Sequence, residues 1–138
     1  MQPLNIIMID DNPGDLQLLQ EAFADCRMAV SFHGFCQYDQ ARVHLDGLHA
    51  SQARLPDLII IDFSLPGMTG DMIVADLRRM EALRTVSLII ISGMIPEAVA
   101  EHLLSCGVSR VLKKPKSYDQ YLALAASLGA PGVTASRD

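Results

Sequence analysis

The chain has few aromatic residues and no clustered positive charge. Aromatic residues make up 5% of the 138 residues, there is no tryptophan, and the formal net charge is -5. The eleven lysines and arginines are scattered, which leaves neither the basic stripe nor the stacking platform that nucleic acid binding requires. We therefore expect an aliphatic core and no direct contact with nucleic acid.

Long apolar runs and regularly spaced cysteines are also missing. No apolar run approaches the length of about eighteen residues that a membrane span needs, and residues 1–5 lack the basic start of a targeting segment. The three cysteines, Cys26, Cys36 and Cys106, show no C-x-x-C spacing. The sequence thus predicts a soluble cytoplasmic protein with free thiols and no membrane association.

Short apolar runs alternate with stretches of helical periodicity. Residues 5–9, 58–61 and 87–91 are rich in isoleucine, as expected of strands buried on both faces of a parallel sheet. Two further strands are predicted at residues 30–35 and 110–112, and a helical pattern follows each of the five strands. These repeats predict one α/β domain at residues 1–129, a doubly wound parallel sheet with five helices, and a disordered tail at residues 130–138.

Capping residues indicate where two of the helices begin. Asn12 followed by Pro13 predicts the start of the first helix, and Ser117 with Gln120 predicts a capping box at the start of the last one.

Polar side chains follow four of the predicted strands. Asp10 and Asp11 come after the first strand, Asp62 after the third, Ser92 after the fourth and Lys114 after the fifth. Because the carboxyl ends of parallel strands meet at one edge of an open α/β sheet, we expect these side chains to converge on one crevice.

Three carboxylates brought together repel one another unless a cation compensates them. Mg²⁺ prefers an octahedral shell of oxygens and is held by one or two carboxylates, phosphate oxygens and water. We therefore predict a Mg²⁺ site in which Asp11 and Asp62 bind directly and Asp10 binds through a water. The carbonyl oxygen of Ser64 is a further candidate ligand.

The same crevice could transfer a phosphoryl group. Asp62 is the predicted nucleophile because its strand should be central, and it would form an aspartyl-phosphate. Mg²⁺, the ammonium group of Lys114 and the hydroxyl of Ser92 would stabilise charge on the transferring oxygens. Each residue alone has an ordinary structural explanation, such as a helix cap, a turn or a solvated side chain. Their shared position at strand ends favours the phosphoryl-transfer site.

From about residue 4 to residue 128 the chain resembles the receiver domain of response regulators, the phosphoacceptor half of two-component signalling. The matching elements are Ile-Asp-Asp-Asn at residues 9–12, Asp62 followed by Pro66 and Gly70, Ser92, and Lys114-Pro115. Residues 11–15 further resemble stand-alone receivers, including those paired with bacterial phytochrome kinases.

This resemblance implies a flavodoxin-like receiver fold with strand order 2-1-3-4-5. It implies that Asp10 and Asp11 form the metal pocket and that Asp62 accepts phosphate from a histidine kinase or a histidine phosphotransfer protein. It also implies that Ser92 is the switch hydroxyl, that Lys114 contacts the phosphoryl group, and that the Lys114–Pro115 peptide bond is cis.

Two positions depart from the pattern of the family. Val111 stands where many receivers have an aromatic residue that swings inward, so a tyrosine rotamer switch is not expected here. Gly93 follows Ser92 where alanine is usual, and the missing methyl group predicts easier access of water to the acyl phosphate.

The expected output is a contact with another protein or with a second copy of the chain. Phosphorylation should draw Ser92 inward and shift the fourth helix, so that the face of helix four, strand five and helix five binds a downstream partner or forms a homodimer. We expect a single-domain response regulator that is not an enzyme in the ordinary sense but promotes its own phosphorylation and dephosphorylation at Asp62.

Three rival interpretations remain. A small Mg²⁺-dependent aspartyl-phosphate phosphohydrolase would share the pocket, although Ser64 stands where a second aspartate would serve as acid and base. A flavodoxin-like cofactor binder would need a neutral, hydroxyl-rich loop after the first strand, whereas residues 10 and 11 are both aspartate. A receiver-like binding module that is never phosphorylated would not need all five pocket residues.

Overall fold

Isoleucine-rich runs form the strands of a central parallel sheet. The computed structural model describes residues 3–129. In chain order the strands are β1 (Leu4–Ile9), β2 (Val30–Phe35), β3 (Leu58–Asp62), β4 (Ser64–Leu65), β5 (Met68–Thr69), β6 (Ser87–Ser92) and β7 (Arg110–Lys113). The two-residue strands β4 and β5 pair with each other in a separate antiparallel hairpin.

The five long strands are parallel and lie in the order β2-β1-β3-β6-β7. Counted without the short hairpin, this is the expected order 2-1-3-4-5, so the doubly wound topology is confirmed. β3 lies in the middle, and its five residues are all buried. The strand that ends at Asp62 is therefore central, as predicted.

Five helices connect the strands. They are α1 (Pro13–Asp25), α2 (Tyr38–Ala50), α3 (Gly70–Arg78), α4 (Glu97–Ser105) and α5 (Tyr118–Leu128). α3 is shorter than its apolar pattern suggests, because the periodicity continues to Met80 while the helix ends at Arg78 and a 3₁₀ turn follows at Glu81–Leu83.

The predicted caps are present at both helix starts. The Asn12 side chain accepts a hydrogen bond from the amide of Gly14, and the Ser117 hydroxyl accepts one from the amide of Gln120. The Gln120 side chain in turn accepts from the amide of Lys116. These contacts fix the first turns of α1 and α5, the two helices that lie beside the crevice.

Alternate residues of each buried strand face opposite layers of helices. In β1, Ile7 and Ile9 pack with residues of α2, α3 and α4, whereas Ile6 and Met8 pack with residues of α1 and α5. The strands are thus covered on both faces, which explains their unbroken apolar runs. Within residues 3–129 no helix is long and apolar enough to cross a membrane.

The cysteines are free thiols, as expected, with Cys26 and Cys36 half-buried and Cys106 exposed. The predicted disordered tail at residues 130–138 lies outside the described residues.

Arg78, the last residue of α3, donates hydrogen bonds to carbonyl groups of more than one loop. One guanidinium nitrogen, Nη1, donates to the carbonyl oxygens of Leu83 at 2.9 Å and Val86 at 3.1 Å. The other, Nη2, donates to the carbonyl oxygen of Gly107 at 2.8 Å. These loops lead into β6 and β7, the strands that end at Ser92 and just before Lys114.

Replacing Arg78 by alanine should lower the free energy of unfolding by about 2–4 kcal/mol, because several carbonyl groups lose a charged donor. Urea denaturation measures this loss. Arg79→Ala is the matched control, since the Arg79 side chain is 79% exposed and forms an ion pair with Asp76. It should cost about 0.5 kcal/mol. Equal losses in the two variants would show that the contacts of Arg78 do not stabilise the loops.

Candidate functional site

The carboxyl ends of four parallel strands bring the predicted residues together. Asp10 follows β1, Asp62 ends β3, Ser92 ends β6 and Lys114 follows β7. Carboxylate oxygens of Asp10, Asp11 and Asp62 lie within 4.8 Å of one another. Asp10 and Asp62 are buried, whereas Asp11 is exposed at the mouth of the crevice.

The two buried carboxylates are held in the same way. Oδ1 of Asp10 accepts a hydrogen bond from the amide of Asn12, and Oδ1 of Asp62 accepts one from the amide of Ser64, both at 3.0 Å. Each amide lies two residues after its aspartate. The backbone turn after each strand therefore fixes one carboxylate oxygen and leaves Oδ2 facing the crevice.

Lys114 lies between three carboxylates. Its Nζ atom is 3.0 Å from Oδ2 of Asp62, 3.0 Å from Oδ2 of Asp10 and 2.8 Å from Oδ2 of Asp15. The lysine backbone is also tied to the neighbouring strand, because its amide donates to the carbonyl oxygen of Ser92 at 2.8 Å. The ammonium group is thus the shared counterion of the crevice.

The pKa values of Lys114 and Asp10 are both raised, but for different reasons. Burial lowers the pKa of Lys114, but its contacts with Asp15, Asp10 and Asp62 outweigh burial and raise the pKa well above the ordinary value. Burial raises the pKa of Asp10 to about 6, although the Asn12 amide and Lys114 act to lower it. Lys114 is therefore charged at neutral pH. Keeping the buried Asp10 carboxylate ionised lowers the free energy of unfolding.

Asp15 was not predicted as a site residue. It lies in the first turn of α1, and an acidic residue there is ordinarily explained by the favourable charge at a helix start. Its contact with Lys114 depends on how α1 packs beside α5. The position of α1 directly after Asp10 and Asp11 is the one sequence signal that could have pointed to it.

Ser92 is buried, and its hydroxyl is turned toward its own loop. Oγ donates to the carbonyl oxygen of Met94 at 2.9 Å and accepts from the amide of Met94 at 3.3 Å. The structure thus places Ser92 at the predicted strand end, with its hydroxyl engaged by the loop that leads to α4.

The donor set of the crevice fits a hydrated divalent cation. Oδ2 of Asp10 is buried and has no hydrogen bond within residues 3–129, although Nζ of Lys114 lies 3.0 Å away as an ionic partner. Four carboxylates, counting Asp15, face a single ammonium group. This excess of negative charge and the unsatisfied oxygen suit a hard cation with bound waters.

One expectation about the backbone is wrong. The structure has no cis peptide bond within residues 3–129, so the Lys114–Pro115 bond is trans. Trans is the lower-energy isomer of a bond before proline by about 0.5–1 kcal/mol. Lys114 reaches all three carboxylates with this isomer.

The structure also shows the surroundings of Val111 and Gly93, the two positions that depart from the receiver pattern. Val111 in β7 is half-buried and packs against the core on the side of α2, α3 and α4. A methyl group added at Gly93 would meet no atom within 4 Å. Alanine would therefore fit at position 93 without displacing its surroundings.

The comparisons with known proteins identify the family. The family described as the response regulator receiver domain matches residues 6–126. The chain therefore belongs to the response regulator receiver domain family, whose members are phosphoacceptor domains of two-component signalling rather than ordinary enzymes.

Curated relatives contain the same domain within longer proteins. The cyclic di-GMP phosphodiesterase response regulator RpfG of Xanthomonas campestris is 29% identical over 112 residues, which cover 81% of this chain and 28% of that protein. The hybrid signal transduction histidine kinase D of Dictyostelium discoideum is 27% identical over 124 residues, which cover 89% of this chain and 7% of that protein. The chain spans only a small part of the length of these two relatives.

Solved structures confirm the receiver fold. The phosphorylated cyanobacterial phytochrome response regulator RcpA matches with a TM-score of 0.79 at 22% identity, covering 93% of this chain and 91% of that chain. The Mn²⁺-bound form of response regulator Rcp1 matches with a TM-score of 0.77 at 16% identity, covering 95% of both chains.

The raised pKa of Asp10 predicts how stability depends on pH. Between the ordinary pKa of 3.8 and about 6, the folded chain keeps a proton that the unfolded chain loses. The contribution of Asp10 to the free energy of unfolding should therefore fall as pH rises through this window, by about 3 kcal/mol. Asp10→Asn should remove this loss, and urea denaturation in EDTA should find the variant more stable at pH 7.5 and similar at pH 3.5.

The control is Asp46→Asn on α2, whose carboxylate is 53% exposed and pairs with Arg42. It should leave the pH profile unchanged. Added Mg²⁺ should stabilise the wild type more than Asp10→Asn at pH 7.5. A variant less stable than the wild type at every pH would contradict the assignment of this cost to Asp10.

Proposed function

We propose that the chain is a response regulator receiver that accepts a phosphoryl group on Asp62 in a Mg²⁺-dependent reaction. The observation that carries this proposal is the position of Lys114, whose Nζ lies 3.0 Å from Oδ2 of Asp62 in a crevice with an excess of carboxylates. A buried carboxylate with a cation at one oxygen is placed to accept a group that brings further negative charge.

In the proposed reaction, Oδ2 of Asp62 attacks the phosphorus atom of a phosphohistidine. The phosphorus–nitrogen bond breaks, and its electron pair returns to the imidazole, which takes up a proton. Oδ1 of Asp62 stays hydrogen-bonded to the amide of Ser64, which orients the carboxylate. Lys114 pairs with the oxygens of the transferring group and stabilises their charge.

Asp11 and Asp62 would hold Mg²⁺ directly and Asp10 would hold it through a water, with the carbonyl oxygen of Ser64 as a further ligand. When bound, the ion neutralises charge on the phosphoryl oxygens. The buried Oδ2 of Asp10, which has no hydrogen-bond donor among the described residues, supports its role as the acceptor for a metal-bound water.

Ser92 is the proposed switch hydroxyl. Its Oγ would leave the carbonyl oxygen of Met94 and donate to the phosphoryl group, and the loop toward α4 would follow. Met94 and Leu104 have side chains exposed by 87% and 47%, which offers apolar contacts on the α4 side of the molecule. We propose that the α4–β7–α5 face changes its binding of a downstream protein or of a second copy.

The proposed phosphodonor is a sensor histidine kinase or a histidine phosphotransfer protein, and the proposed location of the chain is the cytoplasm. The receiver family supports this class of partner. The crevice should also promote phosphorylation by small phosphodonors and later hydrolysis of the acyl phosphate, since its charges act on Asp62 whichever donor is present.

Phosphorylation of Asp62 can be tested with Mg²⁺ and phosphoramidate. Intact-mass spectrometry should find one labile phosphoryl group on the wild type and none on Asp62→Asn or in EDTA. Asp71→Asn, at an exposed aspartate of α3, is the control and should be phosphorylated normally. An adduct that survives Asp62→Asn would overturn the proposal, and steady turnover of small phosphoesters would favour a phosphohydrolase instead.

The glycine after Ser92 should set the lifetime of the phosphorylated form. Gly93→Ala adds a methyl group at the rim without a clash and should slow dephosphorylation by up to about tenfold, because it hinders access of water. Loss of the adduct after removal of phosphoramidate measures the rate. Gly47→Ala in α2 is the control, because its added methyl group also meets no atom within 4 Å. An unchanged or faster rate in Gly93→Ala would refute this role.

A further inference from the structure

Asp15 connects the crevice to α5. One oxygen, Oδ2, lies 2.8 Å from Nζ of Lys114, and the other, Oδ1, accepts a hydrogen bond from the hydroxyl of Tyr121 at 3.1 Å. The Asp15 side chain is 18% exposed, and Tyr121 is 3% exposed. A single carboxylate on α1 therefore joins the shared ammonium group to a buried tyrosine of another helix.

The three carboxylates around Lys114 do not share the same surroundings. Asp10 and Asp62 are fixed by backbone amides at the ends of their strands. Asp15 lies on a helix, and the contacts of its two oxygens are to side chains, those of Lys114 and Tyr121. Of the three, Asp15 is the partner whose contacts can change without moving a strand.

We propose that Asp15 is a positioning residue for Lys114 and that the Asp15–Tyr121 hydrogen bond carries the phosphorylation state of Asp62 to α5. A phosphoryl group on Asp62 adds oxygens that compete with Asp15 for the ammonium group. Lys114 shifts toward these oxygens, its contact with Asp15 lengthens, and the carboxylate adjusts against Tyr121. This inference rests on the proposed function. It adds a second path by which phosphorylation of Asp62 affects the structure, on the α1–α5 side of the sheet.

The apolar setting of Tyr121 makes such a change consequential. Its ring belongs to the core cluster formed with Leu19, Phe23 and Leu124 from α1 and α5. Burial, together with the charge and hydrogen bond of Asp15, raises the pKa of Tyr121 above its ordinary value. Leaving a buried hydroxyl without a hydrogen-bond partner costs substantial free energy. If Asp15 moves, Tyr121 or its helix must therefore move with it.

The chain contains its own reference groups for a test. It has three tyrosines, and each donates a hydrogen bond to a different aspartate. Tyr38 donates to Asp76 and Tyr118 donates to Asp25, neither of which is among the carboxylates that contact Lys114. Of the three tyrosines, we expect only Tyr121 to be affected when phosphorylation of Asp62 moves Lys114.

The experiment labels the tyrosines with ¹³C at Cζ and records their NMR signals before and after phosphorylation with Mg²⁺ and phosphoramidate. Tyrosine-to-phenylalanine variants assign the signals, and intact mass measures phosphorylation in the same samples. In the wild type the Tyr121 signal should shift while the signals of Tyr38 and Tyr118 stay in place. In Asp15→Asn the shift of Tyr121 should be lost although the protein is phosphorylated, and the rate of phosphorylation should fall.

Asp25→Asn is the matched control, because it removes the negative charge of the Tyr118 partner at the same helix pair and should leave the Tyr121 response intact. If phosphorylated wild type shows no Tyr121 shift, or equal shifts of all three signals, the relay is wrong while the phosphoacceptor role stands. If Asp15→Asn keeps the shift, Asp15 does not carry it. If no phosphoryl group appears on the wild type, the proposed function fails and the relay fails with it.

Discussion

The ammonium group of Lys114 is the interaction on which the crevice depends. Buried carboxylates at the ends of β1 and β3 would repel each other without a nearby cation, and Nζ lies 3.0 Å from one oxygen of each. The lysine is held there because its backbone amide is bonded to Ser92 at the end of β6. The parallel sheet thus converts residues far apart in sequence into one charge cluster.

Most of the sheet could be predicted because strands buried on both faces leave continuous apolar runs in the sequence. Residues 30–35 were expected to form a strand and do so, and Asn12 and Ser117 cap the helices they were expected to cap. The end of α3 could not be predicted, because the apolar pattern continues to Met80. The helix stops where Arg78 binds carbonyl groups of the segment that follows it and of the loop before β7, and such contacts leave no periodic signal.

The residues of the crevice could likewise be predicted only in part from the sequence. Asp10, Asp62 and Lys114 could be predicted to meet because strand ends define where side chains converge. Asp15 could not, since its contact with Lys114 requires the packing of α1 beside α5, and a single acidic residue at a helix start has a sufficient local explanation. The trans bond before Pro115 was missed because the resemblance to a family, rather than the local energetics, suggested a cis bond.

Both proposed phosphate-binding side chains are already engaged elsewhere. The hydroxyl of Ser92 is bonded to Met94 on the way to α4, and Lys114 contacts Asp15 on α1. In the proposed mechanism, binding of either group to a phosphoryl oxygen competes with its present contact, and the two contacts lead to different helices. Phosphoryl binding would thereby be coupled to α4 on one side of the sheet and to the α1–α5 pair on the other. Under this proposal an aromatic switch at position 111 is not needed, because the two contacts would link the charge of Asp62 to both helical layers.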